Sequence, residues 1–406
     1  MSGQALSDLK IVEYASRISG PYCSKVMADL GAEVIKIEKP GTGDETRQMG
    51  PFVKDVPNPE TSGLFLYLNG NKRSVTLNLE TETGANLFRE MIKKSDIFIE
   101  NNSPGTMDKL RLGYKDLQKV NPGLIMTSIS SFGQTGSYRD YKATELISFQ
   151  MSGLGYGTPG QVENPANEPP LKIGGHQTQF LAGMTAAVGT MHALFERKIT
   201  GSGQQVDISE WEAMSSLCFL TLAQYAYVHK IPGRLKTSFP GLSVIGLLRC
   251  KDGYFCLLAN EDRMWQDWVE VMGKPEWAND ERFKERESRV KNWDTITKLI
   301  EEWAMQYTKE EIYRAAQARR VPVFPSNTAE DLINSVHLSA REFFVGIDHP
   351  VAGKVRYPGA PYKLTATPWS LRYPAPLLGE HNEEILCGNF GCSKEDLVSM
   401  REAGII

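Results

Sequence analysis

Lys10-Ile11-Val12-Glu13-Tyr14, followed by a turn through Gly20 and then by Glu33-Val34-Ile35-Lys36-Ile37-Glu38, is the stretch that decides the fold. Both runs are short and β-branched, and Tyr22–Leu30 between them has the apolar spacing of a helix. Strand, helix and strand in that order form a βαβ unit with parallel strands. The pattern continues: Ser74–Leu79, Asp96–Glu100 and Leu124–Ile129 read as strands, and Glu82–Lys94 as a helix with Thr81 at its N-cap. Ile97-Phe98-Ile99 is apolar without alternation, as suits a parallel strand covered on both faces. The expected class is α/β with Rossmann-like order. The turn Ser16-Arg17-Ile18-Ser19-Gly20-Pro21 lacks the G-x-G-x-x-G spacing, which counts against a nicotinamide oxidoreductase.

A chain of 406 residues exceeds one compact core, so two domains are expected. Composition is that of a globular protein, with 41% hydrophobic and 23% charged residues. A net charge of -4 gives no electrostatic footprint for nucleic acid. The cysteines (Cys23, Cys218, Cys250, Cys256, Cys387, Cys392) form no Cys-x-x-Cys pair and have no histidines at zinc spacing, so reduced thiols and no metal are expected. Met1–Asp8 has no signal-peptide pattern. The uncharged stretches Phe180–Phe195 and Met214–Val228 are shorter than the ~20 apolar residues that span a bilayer and read as buried helices of a cytoplasmic protein with no membrane partner.

Gly155–Pro170 and Pro232–Gly241 punctuate the middle of the chain. The organisation expected is a large domain from 1–200, linker helices at 201–229, a smaller α+β domain at 230–325, and a linker and C-terminal part at 326–406 that returns to the large domain. Leu247–Cys256 reads as a hairpin around Lys251-Asp252-Gly253, with helices from Asp262 through Arg319 and a helical end at Glu383–Ile406. Lys36, Lys39, Lys72, Arg73, Lys109 and Arg111 fall just beyond strand or helix ends, where cations suit a polyphosphate.

Lys172-Ile173-Gly174-Gly175-His176-Gln177-Thr178-Gln179-Phe180-Leu181-Ala182-Gly183-Met184 resembles the active-site segment of the family III CoA-transferases, among them formyl-CoA and carnitine CoA-transferases. The likeness continues in Ala32–Asp44, Asn71–Leu77, Ile99–Gly105, Ser131–Gly136, Thr200–Gln204 and Leu377–His381, in the family's order and over nearly the whole chain. In that family an aspartate stands four residues before the glycine matching Gly183; here the position is Gln179. A carboxylate attacks a thioester and carries CoA, whereas a neutral amide cannot run that cycle. The resemblance implies an interlocked-ring dimer, with a Rossmann-like large domain built from both chain ends and a smaller inserted domain.

By matching positions it also implies that Ile18 and Ser19 line the cofactor entrance, Lys39 approaches the adenosine phosphates, and Leu77, Asn78 and Leu79 flank the adenine. Asn101 and Lys109 would hold further parts of coenzyme A, and Ser130 to Gly133, Phe132 included, would border the pantetheine. Formyl-CoA transferase has glutamine where this chain has Ile18 and lysine where it has Ser130, so those polar contacts are lost. Thr144 and Gln179 replace the His and Asp of the racemase branch, which disfavours racemization; Gln150, Ser152 and Gly153 are similar to the transferase branch. His176 reads as a turn or hydrogen-bonding residue, and Asp207 and Glu210 as structural or capping groups. Gly183, Ala187 and Gly189 at helical spacing favour a tight core or subunit contact.

The expectation is therefore a non-catalytic subunit whose aspartate-bearing homologue supplies the nucleophile. The resemblance points to the aspartate-lacking subunit of the family's two-chain enzymes of anaerobic aromatic degradation, which move CoA from an acyl-CoA such as succinyl-CoA to an aryl-substituted succinate such as benzylsuccinate. A homodimeric enzyme, an engineered Asp-to-Gln form and a CoA-binding regulatory protein stand as alternatives.

Overall fold

The computed structural model describes residues 3–235 and 244–406, so the end of the Pro232–Gly241 loop lies outside the described residues. The chain divides into two units: 1–157 with 171–232 and 340–406, and 158–170 with 233–339.

In chain order the first unit contains β1 (Lys10–Tyr14), α1 (Ser19–Ala28), β2 (Glu33–Glu38), α2 (Gly63–Asn69), β3 (Lys72–Thr76), α3 (Glu82–Lys93), β4 (Ile97–Glu100), α4 (Thr106–Lys109), α5 (Tyr114–Val120), β5 (Ile125–Ser130), α6 (Glu145–Met151), α7 (Gln177–Thr200), β6 (Gln205–Ser209), α8 (Glu210–Ser215) and α9 (Phe219–Val228). The strands form a six-stranded sheet in the order β3-β2-β1-β4-β5-β6, and every adjacent pair is parallel. Both faces are covered. Val12, Val75, Phe88, Phe98 and Met126 pack on one side with Ile385, Leu386, Leu397 and Met400 from the chain end, and Ile11, Ile97, Ile99 and Ile125 pack on the other with Cys23, Ala182 and Ala186. The α/β expectation therefore holds.

The third strand ends at Thr76 rather than Leu79. Beyond Thr76, Leu77 N–H still reaches the Glu38 carbonyl of β2 at 2.9 Å, but Asn78 N–H turns to the Ile405 carbonyl at 2.7 Å. Residues 201–229, expected as linker helices, open with β6 at the edge of the sheet. The α7 glycines serve the core. A Cβ on Gly183 would lie 2.6 Å from the Ser19 carbonyl oxygen of α1, and one on Gly189 3.1 Å from Val206 of β6.

Met214–Val228 departs from the expectation of a buried helix: no residue of α9 is buried, and Phe219, Leu220, Leu222, Tyr227 and Val228 are all exposed. An apolar helix is ordinarily hidden by what packs on it, and none of the described residues covers this one. No helix among the described residues is long and apolar enough to cross a membrane.

In the second unit β7 (Ile245–Cys250) and β8 (Gly253–Leu258) form the expected hairpin, and β9 (Val323–Pro325) adds a third antiparallel strand. Its core is Phe255, Leu257, Trp265, Trp268, Phe283, Ile296, Ile300 and Ile312.

Candidate active site

The strand order reverses between β1 and β4, and in open α/β sheets ligands bind in the crevice outside the strand ends at such a switch point. Asn101, just past β4, ties the two ends together. Its Oδ1 accepts the Ser16 N–H at 2.9 Å, and its Nδ2 donates to the Ser16 carbonyl at 2.7 Å and to Ser19 Oγ at 3.3 Å. The turn is tight enough that a Cβ on Gly20 would lie 2.4 Å from the Ala15 methyl.

The first turn of α7 comes to the same crevice through its contact with α1. Helix starts leave backbone N–H groups without partners, and His176 at the N-cap supplies no side-chain bond. Glu145, the first residue of α6, does so instead: its carboxylate accepts Thr178 N–H at 3.0 Å and Gln179 N–H at 3.2 Å. The anion also faces the positive end of the helix dipole. Gln179 is only 9% exposed, and its Oε1 has no hydrogen-bond partner. Thr178 Oγ1, His176 Nδ1, Ser148 Oγ and Ser130 Oγ, on α7, α6 and the end of β5, are likewise buried and unpaired. Folded interiors seldom leave polar atoms so.

Glu210, the first residue of α8, lies at the carboxyl end of β6 and is 6% exposed. Burial, opposed by a hydrogen bond from Ser19 and reinforced by the nearby Glu145 charge, raises its carboxyl from 4.5 to about 7. Ser19 thus accepts from Asn101 and bonds to Glu210. Glu210 begins α8 directly after β6, the edge strand of the sheet. Asp207 does act structurally, accepting the Gln134 N–H at 3.0 Å. His176 is held below its usual range by burial and by the Lys172 and Arg17 charges.

The cations separate into two groups. Lys36 and Lys72 are fully buried and engaged with carboxylates, Lys36 with Glu13 and Asp44 at 2.7 Å each and Lys72 with Glu13 at 2.8 Å. They are not free for a phosphate, which corrects the expectation drawn from their positions. Lys39 and Lys109 are exposed. Lys39 lines a cavity of about 420 Å³ at the ends of β1 and β2, with Tyr14, Ser16, Thr42, Gly43 and Asn102.

The side chains of Ile18, Ser19, Leu77 and Leu79 are buried, Asn78 and Asn101 are half-buried, and Ser130 and Phe132 are each 8% exposed. Phe132 packs edge-on against Trp211 at 5.9 Å. Thr144 is the N-cap of α6 and forms no side-chain cap bond.

The sequence profile of CoA-transferase family III matches residues 6–382. The chain belongs to that family. Succinyl-CoA--D-citramalate CoA-transferase of Chloroflexus aurantiacus is 32% identical over 99% of this chain and 98% of its own length. The alpha subunit of succinyl-CoA--L-malate CoA-transferase from the same organism is 32% identical over 99% of this chain and 92% of its own length. A CAIB/BAIF family protein from Brucella suis superposes with a TM-score of 0.85 at 30% identity, covering 95% of this chain and 99% of that one. The family III relatives are enzymes that move CoA between acids, so CoA thioesters are substrates for proteins of this kind.

Proposed function

We propose that this chain is a subunit of a two-chain CoA-transferase, in which a homologous partner bearing an aspartate at the position of Gln179 performs the covalent cycle. The observation that carries the reading is Gln179 itself: a buried neutral amide on the first turn of α7, with Glu145 already occupying the helix N-terminus. An amide forms no acyl anhydride, so the chain requires a carboxylate from elsewhere for fast transfer. The relative named as an alpha subunit supports a division of labour between chains, and the bare apolar face of α9 supplies a surface for a second chain.

In this reading acyl-CoA lies across the strand ends. Lys39 and Lys109 meet the phosphates, the backbone of Leu77, Asn78 and Leu79 borders the adenine, and Asn101, Ser130 and Phe132 follow the pantetheine toward Ile18 and Ser19. The donor is succinyl-CoA, and the acceptor is a substituted succinate, an aryl-substituted one such as benzylsuccinate above all. The test is co-purification followed by a transfer assay. The expected result is a complex with an aspartate-bearing homologue that transfers CoA from succinyl-CoA, and a stable monomer of 45.3 kDa in native mass spectrometry would overturn the interlocked assembly.

A further inference from the structure

Arg17, in the turn between β1 and α1, has no place in the division of labour just described. Its φ is 66°, a left-handed conformation uncommon for a residue that carries a side chain. Neighbouring groups hold it there. Asp44, 3% exposed and paired with Lys36, accepts the Arg17 N–H at 3.1 Å and the Ser16 hydroxyl at 3.2 Å. Lys36 also donates to the Ala15 carbonyl at 2.9 Å, and Asn101 grips the Ser16 backbone from the end of β4. Backbone strain that the surroundings fix so completely gathers at ligand sites.

Distances place the side chain at the crevice. Arg17 Nη1 lies 3.6 Å from Glu45 Oε2, and Glu45, Ser16 and Asp44 line the cavity of about 420 Å³ that Lys39 also lines. The pair is looser than a hydrogen bond and both side chains are exposed, so the guanidinium keeps its donors for a ligand. Lys36 and Lys72 at the same end of the sheet are already neutralised by buried carboxylates. Two residues after Arg17, Ser19 opens α1 against α7, where its carbonyl oxygen would lie 2.6 Å from a Cβ on Gly183. The Arg17 charge also reaches His176 at the start of α7.

We propose that Arg17 is a specificity-determining residue, binding the carboxylate that a dicarboxylic acyl group keeps when its other carboxyl is a thioester. This rests on the crevice being an acyl-CoA site and narrows the acids to dicarboxylates. A guanidinium meets a carboxylate through two parallel N–H bonds, and the clamp on the Ala15–Arg17 backbone fixes where that fork leaves the turn. A monocarboxylic acyl group of the same length offers a methyl there and leaves the fork unpaired.

The experiment is calorimetry of the full-length chain with succinyl-CoA and with butyryl-CoA, which has the same carbon count and no free carboxylate. The wild type should bind succinyl-CoA about tenfold more tightly, with the gap narrowing as salt rises. Arg17→Gln should bring succinyl-CoA to the butyryl-CoA level and leave butyryl-CoA binding unchanged, which also shows that the variant is folded. Arg17→Lys, with the charge but not the fork, should fall between. Equal affinities in the wild type, or equal weakening of both thioesters in Arg17→Gln and Arg17→Lys, overturns the role of Arg17 and leaves the acyl-CoA site standing. Absence of binding of either thioester to the wild type removes both.

Discussion

Two sets of buried ionisable groups lie at the ends of the same sheet and differ in one respect. Under β1, β2 and β3 every charge has its opposite: Glu13 holds Lys36 and Lys72, Asp44 joins Lys36, and Arg47 bridges Glu38 and Glu60. Burial alone would push Glu13 up, but Lys36 and Lys72 hold it below the usual glutamate range. Around α6, α7 and β6 the acids have no such partners, and Glu210 is pushed up by burial instead. Full pairing turns charge into architecture, while an acid left with hydroxyl and backbone partners keeps its proton chemistry available.

The largest effect should come from breaking the paired set. Lys36→Met leaves Glu13 and Asp44 without a buried cation, and loss of one partner of a buried pair typically costs about 3–5 kcal/mol. Chemical denaturation should show that loss at neutral pH, and a change within about 0.5 kcal/mol would mean that the cluster is better solvated than its burial indicates.

The unpaired set should respond with the opposite sign. Glu210 has a folded value of about 7 against an ordinary 4.5, so the folded state holds the proton more tightly than the unfolded one. Its stability penalty is absent below about 4.5, grows as pH rises from there to about 7, and is then constant. Glu210→Gln should therefore stabilise the chain by up to about 3 kcal/mol at pH 8, with the gain fading toward pH 4.5. A pH-independent difference between the two proteins would contradict this account.

Smaller still is the effect expected at the cap. Glu145→Ala removes the acceptor of two N–H groups at the start of α7 and should cost about 1–2 kcal/mol, read as a lower unfolding midpoint and faster amide exchange at Thr178 and Gln179. If exchange there is unchanged, Glu145 is not what holds the first turn.

How much of this comparison the sequence carried depends on range. The parallel sheet followed from local patterns in β1, β2, β4 and β5, because β-branched runs and helix spacing are properties of neighbouring residues. The glutamine where the resemblance expects an aspartate was legible in the segment around Gln179. What stayed hidden depended on contacts between distant residues. Glu145 and Gln179 meet across 34 positions, and Lys72 finds Glu13 across 59, so no spacing rule exposes either. Lys36 and Lys72 looked like phosphate ligands because a strand end is where such ligands sit, and only burial shows that their charge is already neutralised.

Fast transfer by this chain is proposed to require a carboxylate from a homologous partner. Steady-state transfer of CoA from succinyl-CoA to a substituted succinate, measured with the pure chain and again after adding the aspartate-bearing homologue, tests it directly. Turnover in the ordinary enzymatic range of ~1–10³ per second is predicted for the pair, and at least about a hundredfold less for the chain alone. Equal rates in the two samples would contradict the claim.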